Sequence, residues 1–202
     1  MKKLFVLSVL AVLFGCNNTS VDDREVTPLL HPRGVLELFN DGSGIASATV
    51  YASDSTVLEQ GNYHNNLRQG AYTVFHSNGF VKSVTAYVAG KKEGQMISLD
   101  DRGQILERYT YHNDELNGQY VKYNRSQLKE KGEYVNGKLS GILEKYYANG
   151  SIMERSNYTN GQYNGAARWY NQKGNNTIAY DYNMGELVGD IPLEVVVDEP
   201  AN

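Results

Sequence analysis

The sequence predicts an all-β fold built from tandem hairpins that join into one elongated, twisted antiparallel sheet. Two observations lead to this prediction. A tyrosine recurs with steps of 24, 24, 23, 24 and 24 residues, and glycines recur at constant offsets from it. The composition agrees, since 20 glycines, 16 tyrosines and only four prolines in 202 residues favour strands and turns over helices. The recurring tyrosines are Tyr63, Tyr87, Tyr111, Tyr134, Tyr158 and Tyr182.

Two turn positions divide each repeat. Three residues after the tyrosine stands a residue type that tolerates positive φ, and four residues beyond a large apolar or aromatic residue stands a second glycine. This leaves two strands of roughly 6–9 residues per repeat, with no helical spacing that could compete. The third repeat has Gln127 in place of the second glycine and is one residue short, so its turn should differ.

The flanking segments predict further strands. Residues 34–42 resemble a truncated strand and turn, and residues 45–52 and 57–63 should pair around Asp54. We therefore expect an N-terminal β cap over residues 34–62, repeats over 63–190, and a final strand at 192–197 with an acidic tail, within 191–202. Both faces of the repeat strands carry a mixture of polar and apolar side chains, so neither face predicts a packed core.

The beginning of the chain predicts export and lipid attachment. Lys2 and Lys3 precede an apolar run over residues 4–14, which is shorter than the roughly 20 residues of a membrane span. The run ends in Leu13, Phe14, Gly15 and Cys16, which resembles the bacterial lipobox although Phe14 stands where a small residue is usual. The resemblance implies a signal peptide over residues 1–15 and an acylated Cys16. An ordinary signal peptide with a chance cysteine is the alternative.

Localisation and partners follow from this interpretation. Residues 16–33 form a polar tether of about 20–25 Å if flexible. Asn17 follows the cysteine, and by resemblance to enteric lipoproteins this implies the outer membrane of a bacterial cell envelope. Without Lys2 and Lys3, 17 basic residues face 23 acidic ones, a formal charge of −6, which disfavours nucleic acid and anionic lipid headgroups as partners.

The repeat columns resemble the MORN repeat, in the variant Tyr-x-x-Gly-x-x-x-Gly-x-x-x-x-Tyr/Trp. Tyr158, Gly161, Gly165 and Tyr170 show the pattern, and the match covers about residues 60–190. The resemblance implies an elongated sheet of hairpins that contacts proteins or membranes. Some bacterial members are labelled antitoxin-like, which leaves an inhibitor of an envelope-acting toxin as the alternative to a binding or scaffold module.

No spacing in the chain predicts catalysis or a cofactor. His64 and His112 occupy equivalent positions, but four strands would separate them by about 19 Å, too far for one zinc ion. The acidic residues near turns match no calcium-binding loop. We predict that the protein is no enzyme, holds no metal or cofactor, and binds a protein or cell-wall glycan.

The candidate binding residues are aromatic. Tyr72, Tyr120, Tyr147 and Trp169 share one face by strand parity and should form an exposed contact strip. Cross-strand packing that only holds the sheet together is an equally good interpretation of any single tyrosine among them.

Overall fold

The fold is all-β, as the sequence predicts. The computed structural model describes residues 34–38, as backbone, and residues 44–193, and these contain strands and turns but no helix. The strands are β1 Gly34–Leu38, β2 Ile45–Tyr51, β3 Val57–His64, β4 Leu67–Phe75, β5 Val81–Val88, β6 Lys91–Leu99, β7 Ile105–His112, β8 Glu115–Leu116, β9 Gly118–Asn124, β10 Gln127–Val135, β11 Lys138–Tyr146, β12 Ile152–Thr159, β13 Gln162–Tyr170, β14 Asn176–Asn183 and β15 Glu186–Asp190.

Apart from β8, every strand pairs antiparallel with the next strand in the chain, so the sheet order follows the chain from β1 to β15 with β9 beside β7. The short β8 pairs with β7 just ahead of β9, and Asn117 between them donates its amide to Thr110 O at 2.9 Å. At about 4.8 Å per strand the sheet is about 60 Å long. The predicted architecture of hairpins joined edge to edge is confirmed.

The first turn of each repeat has two residues with positive φ, the requirement of a type I′ hairpin turn. In the fifth repeat these are Asn160 (φ 53°) and Gly161 (φ 83°). The amide of Gly161 donates to Leu139 O of the preceding repeat at 2.8 Å, so the turn also joins neighbouring hairpins. The predicted turn column is therefore confirmed.

The second turn of most repeats is longer, and the third repeat differs as predicted. Tyr147 N donates to Ser151 O at 2.9 Å, which closes a five-residue turn around Gly150 (φ 85°). In the third repeat only Arg125 and Ser126, both with positive φ, connect β9 to β10. The short repeat thus loses residues from a turn, which leaves the alternation of its strands intact.

The predicted strands of the N-terminal cap are present as β1, β2 and β3, and they continue the same sheet. At the other end β15 stops at Asp190, so Pro192 and Leu193, predicted to begin a final strand, lie outside any strand. The rest of that predicted strand, the predicted signal peptide, Cys16 and the tether lie outside the described residues.

Burial is concentrated in one row of side chains on one face, which corrects the expectation that neither face holds a packed core. Each repeat contributes two side chains to this row, one from each of its strands. One stands two residues before the repeat tyrosine and the other stands nine residues after it. Its most buried members are Tyr72, Tyr120, Leu143, Ser156 and Ala167. The long side chains of the two neighbouring rows cover this row, so a sheet one layer thick still excludes water along its middle.

Candidate functional site

The face with the buried row is here called the ladder face, because it carries a row of alternating acidic and basic side chains. Cross-strand pairing places Glu107 opposite Lys122, Lys122 opposite Glu130, Glu130 opposite Lys145, and Lys145 opposite Glu154. Lys122 Nζ lies 2.9 Å from Glu130 Oε1, and Lys145 Nζ lies 2.8 Å from Glu154 Oε2. These charges neutralise one another along five consecutive strands.

Tyrosine hydroxyls of the buried row and of the row beside it donate to carboxylates on this face. Tyr120 donates to Glu130 at 2.9 Å, Tyr72 to Glu59 at 2.5 Å, and Tyr163 to Glu154 at 3.2 Å. Burial, together with the hydrogen bond to Glu130, raises the pKa of Tyr120 well above its usual range. These tyrosine hydroxyls and carboxylates are therefore hydrogen-bonded to one another on this face.

Two glycines let the buried tyrosines lie flat on the sheet. Gly61 is opposite Tyr72, and Gly132 is opposite Tyr120. A Cβ at Gly61 would clash with the Tyr72 ring, and one at Gly132 would lie 2.8 Å from Cε1 of Tyr120. The absence of a side chain allows each ring to cover the neighbouring backbone, so sequence and packing are matched at these pairs.

The structure corrects the predicted aromatic strip of Tyr72, Tyr120, Tyr147 and Trp169. Tyr72 is 7% exposed and Tyr120 is 3% exposed, so the expectation that they lie on the surface is wrong. Tyr147 follows the end of β11, in the turn, where its hydroxyl donates to Tyr170 O of the next repeat at 2.8 Å. These three side chains hold strands and repeats together.

Trp169 is the one predicted site residue that stays partly accessible on the ladder face. It pairs with Glu154 on one side and with Ile178 on the other, and its ring meets Tyr180 edge-on with centroids 5.9 Å apart. Ile178 is 43% exposed. The tryptophan ends the charged row and begins an aromatic cluster near the C-terminal edge of the sheet.

The opposite face is here called the arginine face and is defined by Arg108, Lys131, Glu144, Arg155 and Arg168. These residues lie in one row across the strands. Cross-strand pairing joins, in order, Arg108, Val121, Lys131, Glu144, Arg155 and Arg168. Glu144 is buried, with Lys131 Nζ at 2.8 Å and Arg155 Nε at 3.5 Å. Burial alone would raise the pKa of Glu144, but the hydrogen bonds from Lys131 and Tyr146 hold it below its usual value.

Arg108 and Arg168 differ from the other basic residues of this row. Within the described part of the chain, no hydrogen bond, ion pair or ring contact involves either guanidinium group, whereas the ladder face pairs each of its lysines. The arginine face therefore carries four basic side chains against one carboxylate in the row, and two of the four are unpaired in the part of the chain that the structure describes.

The two histidines in equivalent repeat positions lie apart. His64 is in β3 and His112 is in β7, where its Nδ1 lies 2.9 Å from Glu93 Oε1. Among residues 44–193 no group of three or more His, Cys, Asp or Glu side chains could hold a metal ion. Over the described residues no helix has the length and apolar character needed to cross a membrane.

Sequence reasoning missed both charged rows, although each has a signal in the repeat columns. Four residues before the repeat tyrosine stands Glu in four of six repeats, namely Glu59, Glu107, Glu130 and Glu154. Three residues before it stand Arg108, Lys131 and Arg155. Extending the alignment to the residues ahead of the tyrosine would have revealed one acidic column and one basic column on opposite faces.

No family model matches this chain, and no curated protein matches it either. Membership of the MORN repeat family therefore stays a prediction from the repeat pattern.

Proposed function

We propose that this protein is a binding or scaffold module of a bacterial cell envelope, with the sheet as its contact surface. The observation that carries the proposal is the contrast between the two faces. On the ladder face Lys122 and Lys145 pair with carboxylates, whereas on the arginine face Arg108 and Arg168 have no partner among the described residues. One face thus supplies the framework and the other supplies contacts.

The architecture supports a binding role over a chemical one. A sheet about 60 Å long and one layer thick offers a broad surface for a macromolecule. Hairpins stacked in sequence order keep the same column of residues at a constant pitch, so weak contacts add along one ligand. The resemblance to MORN repeats points the same way.

We further propose that Cys16 carries the lipid that holds the module at the membrane. The variant Cys16→Ser tests this proposal. Acyl chains on that residue stabilise membrane binding by about 0.8 kcal/mol per buried methylene. The variant is expected to move from the membrane fraction to the soluble fraction. Retention of Cys16→Ser in the membrane would show that something other than this cysteine anchors the chain.

The binding role is tested by crosslinked affinity capture from native membranes with the tagged full chain. Arg168 and Trp169 are neighbours on β13 whose side chains lie on opposite faces, so Arg168→Ala and Trp169→Ala are matched variants. We expect a crosslinked adduct that is lost in Arg168→Ala and kept in Trp169→Ala. The reverse result would assign contact to the ladder face, and no adduct with any form would refute the binding role.

One tight protein adduct that abolishes a toxin's activity would favour the inhibitor alternative.

A further inference from the structure

The strongest unexplained feature of the arginine face is a pair of like charges. Arg155 in β12 is directly opposite Arg168 in β13. Side chains in such a pair start about 5 Å apart, and like charges there destabilise a sheet. Glu144 approaches Arg155 but is shared with Lys131, so Arg168 keeps no carboxylate within the described residues. An anion between the two guanidinium groups would remove this repulsion.

The basic side chains continue beyond this pair at a regular pitch. Arg108, Lys131 and Arg155 lie on β7, β10 and β12, each two strands from the next in the sheet. The spacing is therefore about 10 Å, and the row from Arg108 to Arg168 spans about 24 Å. Such a row suits a linear ligand with acidic groups at regular intervals.

Half-buried tyrosines accompany the basic row at the same pitch. Tyr123, Tyr146 and Tyr170 lie on β9, β11 and β13, two residues along each strand from the basic row. The Tyr146 hydroxyl donates to Glu144 at 2.6 Å, which confirms that this column lies on the arginine face. Aromatic rings beside charged donors suit sugar rings that carry acidic groups.

The surroundings restrict the ligand further. Glu133 and Asp181 lie on the same face two residues along the strands from the basic row, about 7 Å away, on the side opposite the tyrosines. They leave a narrow track of positive charge on a protein whose formal net charge is −4. A flat anionic membrane would also meet the acidic surface around the track, whereas a single chain would meet only the track.

We propose that the arginine face binds an anionic glycan chain, with its acidic groups on Arg108, Lys131, Arg155 and Arg168 and its sugar rings against Tyr123, Tyr146 and Tyr170. This proposal rests on the binding role above and names its ligand class. The carboxylate or phosphate groups of the glycan bridge the Arg155–Arg168 pair. The ladder face holds the strands in register so that the pitch of the row is constant.

Binding of the full chain to polygalacturonate tests the proposal, because that polymer is a glycan with a carboxylate on every sugar. Its methyl ester has the same backbone without charge and is the matched ligand control. Arg108→Gln with Arg168→Gln removes the two basic groups that have no partner within residues 34–38 and 44–193. Arg102→Gln with Lys173→Gln removes two charges from exposed turns and is the matched protein control.

We expect saturable binding to polygalacturonate that weakens with added salt and is absent for the methyl ester. The Arg108/Arg168 variant should bind about tenfold more weakly or worse, and the turn variant should bind as the natural protein does. No binding, equal weakening in both variants, or tighter binding to phosphatidylglycerol vesicles or polyglutamate would overturn the proposal. Native capture of a protein with no affinity for polygalacturonate would refute the glycan while leaving the binding role intact.

Discussion

At the scale of single residues, the half-buried carboxylate of Glu130 on the ladder face makes the stability of the sheet depend on pH. Glu130 accepts hydrogen bonds from Lys122 Nζ and the Tyr120 hydroxyl, each at 2.9 Å. Burial by itself would raise the pKa of Glu130, but these two donors outweigh it and lower the pKa from 4.5. The ionised form is thus favoured more in the folded chain than in the unfolded one.

A carboxylate with a lowered pKa stabilises the fold above its unfolded pKa, and the effect is lost as the pH falls through the folded value. We expect Glu130→Gln to lower the free energy of unfolding by about 1–2 kcal/mol at neutral pH, with a smaller difference at about pH 3. Urea unfolding at both pH values measures this. Glu133→Gln, at an exposed strand position, is the control and should change little. A difference for Glu130→Gln that is constant with pH would contradict the explanation.

Residue type alone misjudged the tyrosines. The mixed polarity of both strand faces predicts that Tyr72 and Tyr120 are exposed, whereas both are buried. Their burial depends on Gly61 and Gly132, which belong to the preceding and the following strand, respectively. The alternation of residues along a strand identifies the face on which a side chain lies. It does not show which side chains from neighbouring strands will cover that face.

At the scale of the hairpin, the geometry of the turn sets the register between paired strands. The I′ turns place two consecutive residues at positive φ, and from the second repeat to the sixth the turn amide donates to a carbonyl of the repeat before it. The same turn therefore reverses the chain and aligns adjacent hairpins. A turn residue that resists positive φ should weaken both functions.

Gly161→Ala tests the turn, because a Cβ there would meet no atom within 4 Å and the only penalty is the backbone conformation at φ 83°. We expect a loss of about 1–2 kcal/mol in the free energy of unfolding. Gly189→Ala is the matched control, since its Cβ also meets no atom within 4 Å and its φ lies outside the left-handed region. Chemical unfolding of both variants measures the difference, and equal stabilities would rule out strain at this turn.

At the scale of the whole molecule, the sheet grows by repetition and has no second layer to fix its length. Each strand contacts the strands beside it, so stability should be close to a sum over hairpins and the contacts between neighbours. When the array changes length, the alternation of side chains between the two faces must be preserved. This alternation keeps the row of glutamates and lysines on one face and the arginines on the other.

Deleting residues 158–181 removes 24 residues and joins Asn157 to Tyr182 with every later side chain on its original face. Deleting residues 158–180 removes 23 residues, places Asp181 where the tyrosine belongs and moves Tyr182 to the arginine face. We expect the first variant to unfold cooperatively and the second to be less stable by at least about 3 kcal/mol. Thermal unfolding followed by far-ultraviolet circular dichroism compares them. Similar transitions for the two would show that face alternation does not control folding here.

The amino-acid sequence by itself determined the all-β fold, the repeat length, the position of both turns and the altered turn of the short repeat. These features are local, since glycine and asparagine at turn positions and alternation along strands act within a few residues. Only the tertiary structure decided which row is buried, that Glu and Lys alternate across strands, and that Arg155 is opposite Arg168. Those relations join residues from different strands, and cross-strand register must be known before charges 8 to 15 residues apart can be placed side by side.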